Sequence, residues 1–179
     1  MMSLTKVACN QLSKRGLWLG VVSSIFAISP AFAAPDPVFD PVLDELATST
    51  APIRLPSLVS TDVELHPVAR ELYPGAHILA MRTQPECRAE RCLGLQIVTV
   101  AEPGPWPATE NLRQTPLTEV VLGDSTQGYS SEAGGFGSVE WIQDGALYIM
   151  IYSEDIFSKE NAISMANSMI SESPVSRGQ

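Results

Sequence analysis

Gly137-Ser138-Val139-Glu140-Trp141-Ile142-Gln143, then Asp144-Gly145, then Ala146-Leu147-Tyr148-Ile149-Met150-Ile151-Tyr152-Ser153 is the stretch that decides the fold. Two strand-forming runs are separated by an Asp-Gly pair, the preferred two-residue type I′ hairpin turn. That turn sets the pairing. Trp141 falls opposite Tyr148, Val139 opposite Met150, Ile142 opposite Leu147 and Glu140 opposite Ile149. Both faces of the ribbon are largely apolar, whereas a hairpin with one wet face alternates more cleanly. The pattern therefore places one face against another element and leaves the second either covered or binding something.

The covering element follows directly. Ser158 is a good N-cap, and Phe157 ahead of it is placed to staple to Ala162. Ala162, Ile163, Ala166, Met169 and Ile170 then form one apolar stripe of an amphipathic helix that ends near Ser173-Pro174.

Upstream, His77–Thr83 and Cys92–Ala101 read as two partnered strands, the second rich in β-branched Ile97, Val98, Thr99 and Val100. Leu117–Leu122 is a further strand, with a turn at Gly123-Asp124. Pro103-Gly104-Pro105-Trp106-Pro107 excludes helix and central strand and reads as a rigid loop. Pro67–Leu72 reads as a helical turn stopped by Pro74-Gly75, and Ser130–Ser138, with Gly134-Gly135, as a flexible connection. Ile53-Arg54-Leu55-Pro56 is a brief extended piece. Asp40-Pro41 reads as N-cap and first position of a short helix that ends near Thr48, with Val42, Leu43 and Leu46 on its apolar side, after a proline-rich, mobile Ala34–Pro41. The expectation is an α+β fold: an antiparallel sheet of about four or five strands, packed by a C-terminal amphipathic helix, with a short helix near the N-terminus.

Residues 1–33 read as an address. Lys6, Lys14 and Arg15 precede an apolar stretch, Leu17–Ile28, and Ala31-Phe32-Ala33 supplies a small-residue cleavage site. Such a stretch rises about 18 Å as a helix, against a hydrocarbon core of roughly 30 Å. The expected organisation is a signal peptide over 1–33, an extended segment and short helix over 34–52, one α+β domain over 53–173 and a flexible tail over 174–179. The protein is then periplasmic or secreted, with no transmembrane segment after cleavage. Cys9 precedes the apolar stretch, so the lipoprotein arrangement, with its Cys directly after that stretch, is excluded.

Composition narrows the function classes. The chain has 179 residues, 20 acidic side chains against 11 Lys plus Arg, and a formal charge of −9. Loss of residues 1–33 removes three positive charges and no negative ones, giving −12. This excludes a nucleic-acid binder that works through a dominant basic surface. With 45% hydrophobic and only 17% charged residues, it is no disordered acidic tail either.

Cys87 and Cys92 remain as an even pair in an exported chain and read as a disulfide. Residues five apart lie on nearly opposite sides of a helix, so the bridge requires a loop here. The six-residue ring contributes about 2 kcal/mol by limiting the unfolded chain. The C-x4-C spacing differs from the C-x-x-C of thiol oxidoreductases, and two sulfurs fall short of a metal's four ligands. His66 and His77 have no ligand-spaced partner in sequence and read as surface or half-buried. Met81, Met150, Met165 and Met169 read as core filling rather than a soft-metal site. The loop at Gly134-Gly135 leads into a strand and has no Lys or Arg beside it, which disfavours phosphate binding. No cofactor is implied.

Val121-Leu122-Gly123-Asp124-Ser125 looks like the Gly-Asp-Ser block of serine esterases and lipases. In that family the block opens the domain and a histidine follows late, whereas here both histidines precede Ser125. The leader, the Pro52-Ile53-Arg54-Leu55-Pro56-Ser57 segment, the cystine loop, the Val139–Tyr148 hairpin and Ala166-Asn167-Ser168-Met169-Ile170 together resemble small exported cyanobacterial proteins with no assigned function. The closing part is also similar to a domain of unknown function in bacterial envelope and anti-sigma proteins. The resemblance implies an α+β fold in an extracytoplasmic setting and brings no catalytic residue. Many of those relatives carry a second cysteine pair before the Trp strand, where this chain has Gly134-Gly135.

The resulting expectation is an exported, soluble, non-enzymatic domain, a binding or accessory module of the cell envelope whose partner is an envelope protein or an apolar ligand. The alternative is a carrier of a lipid or other apolar ligand held between sheet and last helix, lined by Trp141, Tyr148 and Met150. A small hydrolase using Ser125 is the third reading.

Overall fold

A computed structural model describes residues 33–107 and 115–175. The leader expected over 1–33, apart from Ala33, and most of the 174–179 tail lie outside the described residues. A seven-stranded antiparallel sheet is built from β1 (His66–Tyr73), β2 (Ala76–Arg82), β3 (Leu93–Val100), β4 (Thr118–Val121), β5 (Gln127–Ala133), β6 (Phe136–Gln143) and β7 (Ala146–Ser153). Its order is β1-β2-β3-β7-β6-β5-β4. With α1 (Leu43–Leu46) and α2 (Lys159–Ser171), the fold is α+β.

The β6–β7 hairpin has the pairing its turn dictates: Trp141 opposite Tyr148, Val139 opposite Met150, Ile142 opposite Leu147 and Glu140 opposite Ile149. Asp144 and Gly145 adopt φ of 50° and 78°, as a type I′ turn requires. β2 and β3 pair as expected, and Cys87 is bonded to Cys92 in the connection between them.

The sheet is larger than the four or five strands the sequence suggests, for two reasons. Pro67–Leu72 is strand rather than helical turn. It lies at a sheet edge, where Pro67 near the strand start is tolerated and only Ala69 is buried, so no apolar alternation marks it. Gln127–Ala133 is also a strand. The Gly134-Gly135 pair is its hairpin turn into β6, with φ of 61° and 82°, and not a flexible connection.

The N-terminal expectation is corrected too. Asp36, not Asp40, is the cap: its carboxylate accepts the Val38 N–H, and a 3-10 helix runs over Pro37–Val42 before α1. Asp-Pro occurs at both 36–37 and 40–41, so the same local chemistry allowed either start. Phe39 is fully buried, so the segment read as mobile is part of the core.

One core joins all of this. Phe39, Leu46, Ile53 and Leu55 from the N-terminal part meet Leu79, Met81, Leu95 and Ile97 of β2 and β3. Val139, Trp141, Tyr148, Met150 and Tyr152 of β6 and β7 and Ala162, Met165, Ala166 and Met169 of α2 complete the same cluster. The Ser158 cap forms a reciprocal capping box with Asn161. Trp141 and Tyr148 stack with ring centroids 5.3 Å apart.

Residues Ala51–Ser57 form a strap between the hairpin turn and α2. The Tyr148 hydroxyl donates to the Pro52 carbonyl at 2.6 Å. Arg54 Nη2 donates to Asp144 Oδ2 at 2.7 Å. Val175 N–H donates to the Ile53 carbonyl and Ser57 N–H to Ser168 Oγ. Burial raises the Tyr148 hydroxyl pKa against the opposing pull of Arg54. Burial, with Glu132, Glu154 and Glu160 nearby, pushes Tyr152 up to about 12.

Tyr152 lies across Gly137, its cross-strand partner. A Cβ at position 137 would overlap the Tyr152 ring and hydroxyl. Gly137→Ala is expected to destabilise the fold by about 1–3 kcal/mol, the scale of overpacking in a filled core. Urea unfolding of the variant beside wild type measures it, and Gly134→Ala serves as control for backbone strain without overlap.

Candidate functional site

Side chains of the inner sheet face are consumed by packing. Trp141, Tyr148 and Met150, expected to line an apolar pocket against the last helix, are each 0% exposed. Ala162, Met165, Ala166 and Met169 fill the space over that face. Met81, Met165 and Met169 are likewise buried in the core.

The outer face is different. Antiparallel pairing lines up Arg70, Ile78, Val98, Ile149, Glu140, Tyr129 and Glu119 in one row across the sheet. A second row runs Val68, Ala80, Gln96, Ile151, Ser138 and Ser131. Ile78, Val98, Ile149 and Ile151 are neither buried nor fully exposed. They form a partly exposed apolar lane at the middle of the sheet, closed at one end by Glu140, which is 3% exposed beside Ile149. No helix among the described residues packs there.

Among the described residues, grooves of about 400 Å³ lie at one end of the sheet and along β1 and β2. One lies between Thr50, Tyr73, Pro74, Gly75, Val100, Ala101 and Glu102. The other has Val68, Ile78, Ala80 and Gln96 as its floor and Arg70, Arg82, Pro85, Glu86 and Arg88 around it. The cystine loop supplies its wall. Arg82 Nη1 donates to the Cys87 carbonyl at 2.8 Å, which holds that guanidinium at the groove. At the far side of the sheet, Trp106 packs edge-on against Tyr129 with centroids 5.1 Å apart, so the loop after β3 reaches the outer face there.

The remaining sequence candidates stay apart. Ser125 is exposed, in a turn where Asp124 and Ser125 both have positive φ, and no histidine lies on a neighbouring element. His66 is half-buried, but His77 is only 5% exposed, deeper than its sequence context suggests. His77 Nδ1 lies 2.9 Å from Ser49 Oγ, a contact 28 residues apart that no spacing motif reveals. Ser49 Oγ also accepts the Ala51 N–H, so it closes a local turn. No carboxylate is hydrogen-bonded to His77 among the described residues, so the pair lacks the third member of a nucleophilic triad. Among the described residues, no cluster of three His, Cys, Asp or Glu is placed to hold a metal ion, and no helix is long and apolar enough to cross a membrane.

Compared with protein-family models, curated proteins and solved structures, the chain matches none.

The Trp106–Tyr129 contact is expected to anchor the loop by more than area alone. In a double-mutant cycle, Trp106→Ala and Tyr129→Ala should couple by about 1 kcal/mol, the size of an edge-to-face aromatic pair. Thermal unfolding of the wild type, the two single variants and the double variant gives the coupling.

Proposed function

We propose that this protein is an exported, non-enzymatic binding module that engages its ligand or partner through the outer face of its sheet. The observation that carries the reading is the contrast between the two faces. The inner one is filled by α2 and the N-terminal segment. The outer one leaves Ile78, Val98, Ile149 and Ile151 partly open on three adjacent strands, β2, β3 and β7. Aliphatic side chains left at a sheet centre favour contact with an apolar surface.

Export rests on the leader motif and fits the oxidised Cys87–Cys92 pair. The carrier alternative moves with the geometry: an apolar ligand finds space on the outer lane rather than between sheet and α2.

Two measurements test the reading. Intact mass of protein from the envelope fraction should correspond to a chain starting at Ala34. Nile red, a neutral apolar dye, should bind the purified protein with a fluorescence rise, and Ile149→Lys should weaken binding while keeping the wild-type melting temperature to within a few degrees. Full-length cytoplasmic protein would overturn export. Nile red binding indifferent to Ile149→Lys, or absent altogether, would overturn the outer face as the binding surface.

A further inference from the structure

Among the described residues, the groove between β1, β2 and the cystine loop is where this acidic chain gathers arginines. Beyond residue 33 the sequence has eight Lys and Arg against 20 acids. Four of the eight, Arg70, Arg82, Arg88 and Arg91, fall within the segment from β1 to the end of the cystine loop. The ion pairs found among the described residues use other cations, Arg54 with Asp144 and Lys159 with Glu132. Arg70 and Arg88 are exposed, Arg82 is half-buried, and all three line the groove. Glu86 is the single acid among the lining residues, so the groove keeps a net positive charge.

The floor is not that of a simple anion site. Val68, Ile78 and Ala80 line the groove together with the arginines, and the Ile78 row continues through Val98 to Ile149. Two strand spacings cover that lane, about 9–10 Å of apolar surface. An inorganic anion would leave the lane unused, and a neutral lipid would leave the arginines unused. The groove's 400 Å³ falls in the range of small-ligand sites, roughly 300–1,000 Å³.

We propose that this groove binds a single-chain amphiphile with an anionic head, of the fatty-acid type. The carboxylate is held by Arg70, Arg82 and Arg88, and the hydrocarbon chain lies along Ile78, Val98 and Ile149. The arginines suit this role because a guanidinium gives charge-assisted, forked hydrogen bonds to a carboxylate. The cystine and the Arg82–Cys87 hydrogen bond keep the head site formed before the ligand arrives. The inference rests on the outer face being the binding surface and adds the ligand class and the head-group site.

Laurate, below its micelle concentration and at low salt, is the probe, titrated into the purified protein by calorimetry. Saturable binding of one laurate per chain is expected. Arg70→Glu and Arg88→Glu, both at exposed positions, should each weaken it by about tenfold, the scale of one charged hydrogen bond. Both variants should keep the wild-type far-ultraviolet circular dichroism spectrum and the wild-type affinity for Nile red. Raising ionic strength to about 1 M should weaken laurate binding as well, through screening. Binding of acetate or inorganic phosphate as tight as laurate would overturn the amphiphile, as would binding of poly-glutamate in place of laurate. Laurate affinity unchanged in both arginine variants would overturn the head site. If laurate fails while Nile red still binds and responds to Ile149→Lys, only this inference falls. If neither probe binds, the outer-face reading falls with it.

Discussion

Positive φ at Asp144 and Gly145 sets the twist and register of the β6–β7 hairpin, and that register assigns every side chain on both strands to a face. The side-chain period of a strand is two, so a slip by one residue would exchange the faces completely. In the observed register Val139, Trp141, Tyr148, Met150 and Tyr152 point inward, where α2 and the N-terminal segment cover them. Ile142, Leu147, Ile149 and Ile151 are left on the other side, half-exposed. The neighbouring strands inherit the same division: β3 through its pairing with β7, and β5 through its pairing with β6.

The strap locks this arrangement at the turn itself. Arg54 is buried with its side chain 8% exposed, while its partner Asp144 is 66% exposed. The guanidinium is thus the group that needs the contact, because a buried cation without a counter-charge is costly, whereas the carboxylate keeps most of its water. One Asp serves both the turn geometry and the charge of the strap. The Tyr148 hydroxyl, satisfied by the Pro52 carbonyl, gives the second polar tie between strap and hairpin. Chain entry, hairpin turn and the end of α2, where Gln143 reaches the Ile170 carbonyl, converge at one end of the sheet.

Much of this was legible where a local signal coincided with its tertiary role. Asp144-Gly145 announced its own turn, Ser158 its helix start, and Cys87 and Cys92 their loop. The signals failed where burial is one-sided or sparse. β1 carries Arg70, Glu71 and Pro67 because it is an edge with little buried surface, so no apolar period betrays it. Gly134-Gly135 looks like slack in sequence and is a tight turn in the fold, since φ is invisible without the partner strand. Two apolar faces on one hairpin were readable, but which face would be filled was not. Tyr148 and Trp141 suit a ligand lining as well as a core, and only the small Ala162 and Ala166 of α2, brought close over them, decide for the core. The groove at Arg70, Arg82 and Arg88 joins residues from two strands and a loop, so it emerges only once β1 is recognised as a strand beside β2.

Two adjacent side chains carry this division: Met150 is fully buried, and Ile149 is partly exposed on the outer face of the sheet. Thiol accessibility tests it directly. Single cysteines are introduced as Ile149→Cys or Met150→Cys in a Cys9→Ser background, with the Cys87–Cys92 bond intact, and maleimide labelling of the folded protein is followed by mass spectrometry. The account predicts steady labelling at position 149 and protection at 150 until the protein is unfolded. Protection at 149 with labelling at 150 would contradict the register, and equal protection at both would contradict an open outer face.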